Sequence, residues 1–90
     1  MKYLKKTNNP FLEGLPYIDL HGCDRDYSRY KVKEFVYDNY TLGNKKIVVI
    51  HGIGEGIVKD AVHEYLRNDE RVIEYKLDNF NTGMTIVILK

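Results

Sequence analysis

The sequence predicts a single α/β domain with the element order β-α-β-α-β-β. Its 90 residues suit one domain with a modest core. Two segments carry apolar residues at helical spacing, and four short segments are rich in β-branched residues and separated by turns. Each strand–helix–strand unit connects parallel strands, and the last two strands form a hairpin, so the four-stranded sheet should be mixed.

Residues 1–16 are predicted to form an arm before a domain at 17–90. The arm has neither a helical nor a strand period, and its two prolines favour extended or turn backbone. We expect its polar half to be loose and its apolar half to pack on the domain. The apolar side chains of that second half are Phe11, Leu12 and Leu15.

The first strand is predicted at 17–20 and ends at His21-Gly22, where glycine permits a sharp turn. A helix should begin between Asp24 and Ser28, which are capping residue types, and end at Gly43. Its apolar positions recur at helical spacing. They are Val32, Phe35, Val36 and Tyr40.

Residues 47–50 are consecutive β-branched residues, which indicate a central strand buried on both faces. A second helix at about 56–68 has the clearest apolar period of the chain. His63 falls outside that apolar set, so we interpret it as solvated surface. Two strands at 72–77 and 85–89 complete the order.

Composition excludes some functions. The net charge is only +1, from 14 basic and 13 acidic residues, so any nucleic-acid site must be a local patch. The single cysteine, Cys23, cannot form an internal disulfide and indicates a cytoplasmic protein. No apolar run approaches the ~20 residues that span a bilayer, and residues 1–6 lack the apolar core of a signal peptide. We therefore expect no membrane partner.

The carboxyl ends of parallel strands share one sheet edge, where ligands bind in open α/β folds. The loops 20–23 and 51–56 should meet there, joined by the turn 79–83 if the third strand is parallel to the first two. Both helices also begin at this edge and present N–H groups suited to anions. Arg25 and Lys59 lie in their first turns, which makes the edge locally positive.

Two histidines should lie at this edge. Strand alternation places Asp19 and His21 on one face, so Asp19 can accept a hydrogen bond from, or orient, an imidazole. His51 ends the second strand, and two imidazoles could divide acid and base roles near neutral pH. The structural alternatives remain open: His21 could cap its turn, and His51 could hydrogen-bond its loop.

The sequence gives weaker support to three other kinds of site, which are a dinucleotide site, a thiol hydrolase site and a zinc site. The glycines at 52, 54 and 56 depart from a dinucleotide fingerprint, because the third comes one residue early and the loop follows the second strand. No partner completes a thiol hydrolase around Cys23, which we expect to pack. No closely spaced ligand cluster supports a zinc site. We therefore predict no cofactor, and a divalent metal bound by His21, His51 and Asp19 stays an open alternative.

Three motifs resemble those of the Smr (small MutS-related) family, in order across 17–90. Residues 18–22, Ile-Asp-Leu-His-Gly, look like its first motif, and 49–54, Val-Ile-His-Gly-Ile-Gly, resemble its H-G-x-G turn. Residues 83–89, Gly-Met-Thr-Ile-Val-Ile-Leu, are similar to its closing strand, with one glycine where the family usually has two. The chain resembles a short stand-alone member without a mismatch-repair ATPase.

The resemblance implies a two-layer sandwich with two helices on one face of a mixed four-stranded sheet, like the C-terminal domain of bacterial translation initiation factor three. Family members nick or cleave DNA or RNA, some at stalled or collided ribosomes. The residues that carry this activity correspond to Asp19 and His21, with His51, Gly52 and Gly54 beside them.

The first hypothesis is therefore an endonuclease that prefers RNA to DNA. His21 would transfer a proton, Asp19 would orient an imidazole, and His51 would be the second acid/base or a phosphate ligand. RNA supplies its own 2′-hydroxyl nucleophile, so its cleavage needs no metal. DNA lacks this group, and its cleavage would need a water molecule that a divalent metal could activate. The expected nucleic-acid contacts are Gly22, Arg25, Gly52, Gly54, Gly56, Lys59, Gly83 and, stacking on a base, Phe80.

Two further hypotheses assign the chain to functional classes other than enzymes. Near-neutral charge and the altered third motif favour a non-catalytic module that binds nucleic acid or the ribosome. Tyr30 and Tyr37, on the outer face of the first helix, could instead form a protein-interaction surface. We expect a monomer or a weak dimer.

Overall fold

The structure, a computed structural model, describes residues 1–5 and 9–90. These residues form five strands, two α-helices and a short 3-10 helix at Pro10–Leu12. In chain order these are β1 (Lys2–Tyr3), β2 (Pro16–Asp19), α1 (Arg25–Leu42), β3 (Lys46–Ile50), α2 (Ile57–Arg67), β4 (Val72–Leu77) and β5 (Met84–Leu89). From β2 onward the order is the predicted one.

The capping residues of α1 set its limits. Asp24 accepts a hydrogen bond from the Tyr27 N–H at 2.7 Å, which satisfies a free donor of the first turn. Gly43 ends the helix in the left-handed region, with φ +81°, and its N–H donates to the Asn39 and Tyr40 carbonyls. Both helix limits agree with the sequence prediction.

The sheet is mixed, with the strand order β1-β2-β3-β5-β4. β2 is parallel to β3, while β5 is antiparallel to both β3 and β4. β4 therefore runs in the direction of β3, with β5 between them. The carboxyl ends of β2, β3 and β4 consequently lie at one edge, together with the amino ends of both helices.

The predicted fold class is confirmed, with one additional strand. β1 pairs antiparallel with β2 through Lys2–Tyr17 and Tyr3–Pro16. A pairing of two residues is too short to produce a strand period in the sequence. The expectation that the polar half of the arm is loose is wrong for Lys2 and Tyr3, and residues 6–8 of that half lie outside the described residues.

The main core lies between the sheet and the two helices. Residues of α1, α2 and alternate positions of β3 and β5 form one buried cluster. Its fully buried members include Val32, Val36, Val49, Val62 and Val87. No helix within the described residues is long and apolar enough to cross a membrane.

The arm covers the opposite face of the sheet. Leu12 is fully buried against Val48, Met84 and Ile86, and Leu15 packs against the same cluster, as predicted. Asn9 Nδ2 also donates to Asp78 Oδ1 at the end of β4 (3.2 Å). The arm therefore covers the face of the sheet that the helices leave open. The boundary between an arm at 1–16 and a domain at 17–90 stays a prediction.

Phe11 does not pack as predicted, since 82% of it is exposed. The 3-10 turn directs neighbouring side chains to different sides, so that only Leu12 of this pair enters the core.

We expect Leu12→Ala to reduce the free energy of unfolding by about 2 kcal/mol or more, because it removes a fully buried side chain and leaves a cavity. Phe11→Ala, one residue away, is the control and should change stability by less than about 0.5 kcal/mol. Urea unfolding of both variants tests this. Equal losses would show that the arm does not pack as described.

Candidate functional site

Asp19 and His21 form a hydrogen-bonded pair at the end of β2. The His21 backbone N–H donates to Asp19 Oδ1 at 3.1 Å, and the ring Nδ1 lies 2.6 Å from the same oxygen. The loop folds this way because β2 ends at Asp19 and Gly22 turns the chain with φ +77°. The predicted proximity of the two side chains is confirmed.

The pair leaves one ring nitrogen of His21 available. Burial raises the pKa of the Asp19 carboxyl, but the hydrogen bonds from His21 outweigh it, so the pKa lies below its ordinary value. An ionised carboxylate can only accept hydrogen bonds, so Nδ1 of His21 carries the proton that it donates to Asp19. Nε2 of the neutral ring then has the free lone pair. The His21 side chain is 71% exposed, so Nε2 can reach a substrate.

His51 differs sharply from His21, because it is only 3% exposed. Its Nδ1 lies 2.9 Å from the Gly52 carbonyl oxygen, and its Nε2 lies 2.8 Å from Thr85 Oγ1. Both ring nitrogens are therefore engaged within the protein. The role of His51 as a second acid/base stays a prediction, and this geometry favours a positioning role.

His63 joins the same group, so its interpretation as solvated surface is wrong. Its Nε2 lies 2.7 Å from Thr85 Oγ1, and its ring meets that of His51 edge-on at 5.8 Å between centroids. It also contacts Tyr75, at 5.0 Å between ring centroids. The structure thus assembles two histidines around one buried threonine.

Sequence reasoning missed Thr85 and His63, although one signal was present. Thr85 alternates with Val87 and Leu89 in an apolar strand, so it faces the helices as they do. A hydroxyl at such a buried position requires a hydrogen-bond partner. The apolar period of α2 gave no reason to choose His63 as that partner, because His63 flanks the stripe.

The β3–α2 loop is held against the β4–β5 hairpin and against His21. The N–H groups of His51 and Gly52 both donate to the Gly83 carbonyl, at 2.9 and 3.0 Å. A methyl group added at Gly52 would lie 3.2 Å from Cβ of His21, and Gly52 has φ +84°. Gly83 is buried and therefore supports the loop through its backbone, whereas its predicted contact with phosphate stays a prediction.

Between the two loops lies a cleft of about 570 Å³, lined by residues 21–25 and 51–59. Most of the predicted nucleic-acid contacts line it. They are Gly22, Arg25, Gly52, Gly54, Gly56 and Lys59. The shared edge of parallel strands accounts for this convergence.

The cleft has the electrostatic features of an anion site. Gly56 immediately precedes α2, and no side-chain cap bonds the first turn of the helix among the residues that the structure describes, so N–H groups there remain for a ligand. Lys59 adds a positive charge at the same place. Arg25 contributes less, since its Nη2 lies 3.4 Å from Glu64 Oε2.

Phe80 and the tyrosines lie outside this cleft. Phe80 is exposed on the hairpin, as a base-stacking side chain would need to be, but it does not line the cleft. Tyr30 and Tyr37 are exposed on α1, as predicted, and the Arg71 guanidinium lies 5.7 Å from the Tyr37 ring centroid. Whether either surface binds a partner stays a prediction.

Cys23 lines the cleft and packs against the main core, which agrees with a packing role. Within residues 1–5 and 9–90, no group of three or more His, Cys, Asp or Glu side chains is placed to hold a metal ion.

We expect stability to fall as the pH drops below about 6.5. Burial, the dominant cause, lowers the pKa of His51, and burial with the neighbouring charges of His51 and Lys59 lowers that of His63, both from an ordinary value of 6.5. Below that value the unfolded chain binds more protons than the folded chain, so the free energy of unfolding decreases with decreasing pH.

Urea unfolding at pH 7.5, 6.5 and 5.5 measures this effect. His63→Gln removes one of the two titrating groups and should show a shallower decrease over the same interval. A free energy of unfolding that is constant from pH 7.5 to 5.5 would contradict the buried neutral state of both rings. The Asp19 carboxyl titrates below its ordinary 3.8 and does not affect this interval.

Comparison with known proteins identifies the family. A family model described as "Smr domain" matches residues 18–90. The protein named Endonuclease MutS2 of Clostridium acetobutylicum is 37% identical over 76 residues, which are 81% of this chain and 10% of that protein. The Endonuclease MutS2 of Clostridium perfringens is 32% identical over 78 residues, 83% of this chain and 10% of that protein. The chain thus spans about one tenth of the length of these relatives.

Solved structures agree. The Smr domain of Thermus thermophilus MutS2 superposes with a TM-score of 0.81 at 26% identity, covering 84% of this chain and 99% of that one. YdaL, a stand-alone small MutS-related protein of Escherichia coli, has a TM-score of 0.77 at 22% identity, covering 82% and 63%, and supports the fold alone. The resemblance carried by the three motifs is confirmed, and the chain belongs to the Smr domain family.

Proposed function

We propose that the chain is an endonuclease that cleaves RNA by acid–base chemistry at His21. The observation that carries the proposal is the Asp19–His21 pair, whose free Nε2 is exposed beside the cleft. The endonuclease name of the MutS2 relatives supports a nucleic-acid substrate.

In this mechanism His21 Nε2 takes the proton of the 2′-hydroxyl next to the scissile phosphate. The 2′ oxygen then bonds to phosphorus as the bond to the 5′ oxygen breaks, leaving a 2′,3′-cyclic phosphate and a 5′-hydroxyl. Asp19 stabilises the imidazolium that forms. Because both nitrogens of His51 are hydrogen-bonded, water is the favoured proton donor to the leaving oxygen, with His51 as the alternative.

The cleft supplies groups for the phosphate. Lys59 and the first-turn N–H groups of α2 can stabilise the charge that develops on the phosphoryl oxygens. The loop glycines permit close approach of backbone to that phosphate. The 2′-hydroxyl mechanism requires no activated water, which favours RNA over DNA.

The test is cleavage of an end-labelled RNA, the same strand with 2′-deoxy nucleotides, and duplex DNA, each with and without EDTA. We expect cleavage of RNA alone, insensitive to EDTA, with cyclic-phosphate ends and a rate at least about 100-fold lower in His21→Ala. Metal-dependent cleavage of DNA would replace the proposal with a hydrolytic site.

The second candidate is a binding module without catalysis, favoured by the near-neutral overall charge. If the wild type binds RNA but neither it nor His21→Ala cleaves, this candidate stands, and binding should weaken steeply with salt. Contact with the ribosome, a cytoplasmic location and a monomeric or weakly dimeric state remain predictions.

A further inference from the structure

We propose that His63, Thr85 and His51 are positioning residues, linked by hydrogen bonds, that hold the Gly52 backbone against His21. The inference rests on the proposed function for its effect on catalysis, but not for the hydrogen bonds themselves. We refer to the three side chains as the His63–Thr85–His51 relay.

The direction of each hydrogen bond follows from the groups present. His51 Nδ1 faces a carbonyl oxygen, which only accepts, so Nδ1 carries the proton and Nε2 of the neutral ring accepts. The Thr85 hydroxyl must then donate to His51 Nε2, at 2.8 Å. Its single proton is thereby used, so His63 Nε2 donates to Thr85 Oγ1, at 2.7 Å. Each of these four atoms, from His51 Nδ1 to His63 Nε2, therefore has a hydrogen-bond partner.

The relay ends at the proposed catalytic residue. Gly52 accepts from His51 through its carbonyl and donates to Gly83 through its N–H. The side of its Cα where a side chain would stand faces His21. A Cβ placed there would lie 3.2 Å from Cβ of His21, which is closer than an ordinary van der Waals contact. A shift of His51 would therefore move Gly52, and a shift of Gly52 would move His21.

The burial of the relay favours positioning over reaction with the substrate. Thr85 is fully buried and His51 nearly so, in a cluster otherwise formed by apolar side chains such as Val49 and Val87. A polar network inside a core is favourable only when every member is satisfied, and it then specifies a single arrangement. Here that arrangement sets the position of the β3–α2 loop.

The test compares two disruptive variants with two conservative ones. Thr85→Val keeps the shape but removes the hydroxyl, and His63→Leu removes the donor at a half-buried position. Thr85→Ser and His63→Gln each retain a suitable group. Val87→Ala, on the same strand and face, is the control for lost stability, which is measured for all five by urea unfolding.

Two readouts are used. Long-range ¹H–¹⁵N spectra of the wild type should show His51 neutral with the proton on Nδ1. The disruptive variants should shift the His51 ring nitrogens and the amides of Gly52 and His21, and should lower kcat by up to about 100-fold with little change in KM, as expected when a reacting group is displaced. Thr85→Ser and His63→Gln should preserve both readouts.

Three results would overturn the proposal. One is the opposite tautomer of His51, and another is unchanged Gly52 and His21 amides in both disruptive variants. The third is that Val87→Ala and Thr85→Val lose equal stability and show an equally large fall in kcat. The effect of the relay would then come from core packing in general and not from its hydrogen bonds. If the wild type does not cleave RNA, the proposed function fails, and the spectra alone decide whether the relay exists.

Discussion

We expect His21→Ala to slow RNA cleavage by at least about 100-fold, because it removes the group that transfers the proton. Asp19→Asn should slow it by roughly 10-fold, because the amide oxygen can still accept both hydrogen bonds from His21 but no longer carries the charge that stabilises an imidazolium. Asp19→Ala, which loses orientation as well, should be slower than Asp19→Asn. Single-turnover rates at saturating RNA measure all three.

Asp26→Asn is the matched control for this series. Asp26 lies in the first turn of α1, and its change to Asn alters the charge by the same amount without touching His21. Its cleavage rate should equal that of the wild type. Should Asp19→Asn cleave at the wild-type rate, the Asp19–His21 pair would serve only the turn, and the proposed mechanism would lose its main support.

Gly52→Ala should lower kcat by up to about 100-fold and the free energy of unfolding by about 1 kcal/mol. The stability loss arises because an L side chain is strained in the left-handed region, where Gly52 has φ +84°. The activity loss arises because the new methyl would lie 3.2 Å from Cβ of His21 and displace it.

Gly43→Ala separates these two effects. Gly43 has nearly the same φ, +81°, but a methyl group there has no atom within 4 Å, and it lies at the end of α1. It should lose similar stability and retain full activity. Equal activity of Gly52→Ala and Gly43→Ala, measured on the same RNA, would show that Gly52 does not position His21.

Local patterns account for much of the fold. The β-branched run of β3, the apolar period of α2 and the capping residues Asp24 and Gly43 each act through neighbours in sequence, so their effects are readable without the tertiary structure. The same holds for the Asp19–His21 pair, which strand alternation places on one face two residues apart. Strand parallelism then accounts for the meeting of the two loops at the cleft.

Contacts between residues distant in sequence were not predictable in this way. Thr85 and His63 are separated by 21 intervening residues and meet only because β5 lies between β3 and β4, under α2. Phe11 and Leu12 have similar hydrophobicity, and only the geometry of the 3-10 turn decides which of them is buried. The pairing of β1 with β2 likewise depends on the path of the arm.

The sequence by itself determined the element order from β2 onward, the helix limits, the family motifs and the Asp19–His21 pair, because these depend on spacing and local conformational preference. The tertiary structure alone decided that His51 is buried and fully hydrogen-bonded while His21 is exposed. The physical reason is that burial and partner choice depend on which surfaces pack together. Two histidines with similar sequence contexts at strand ends therefore occupy different environments, and only His21 presents a free nitrogen to the cleft.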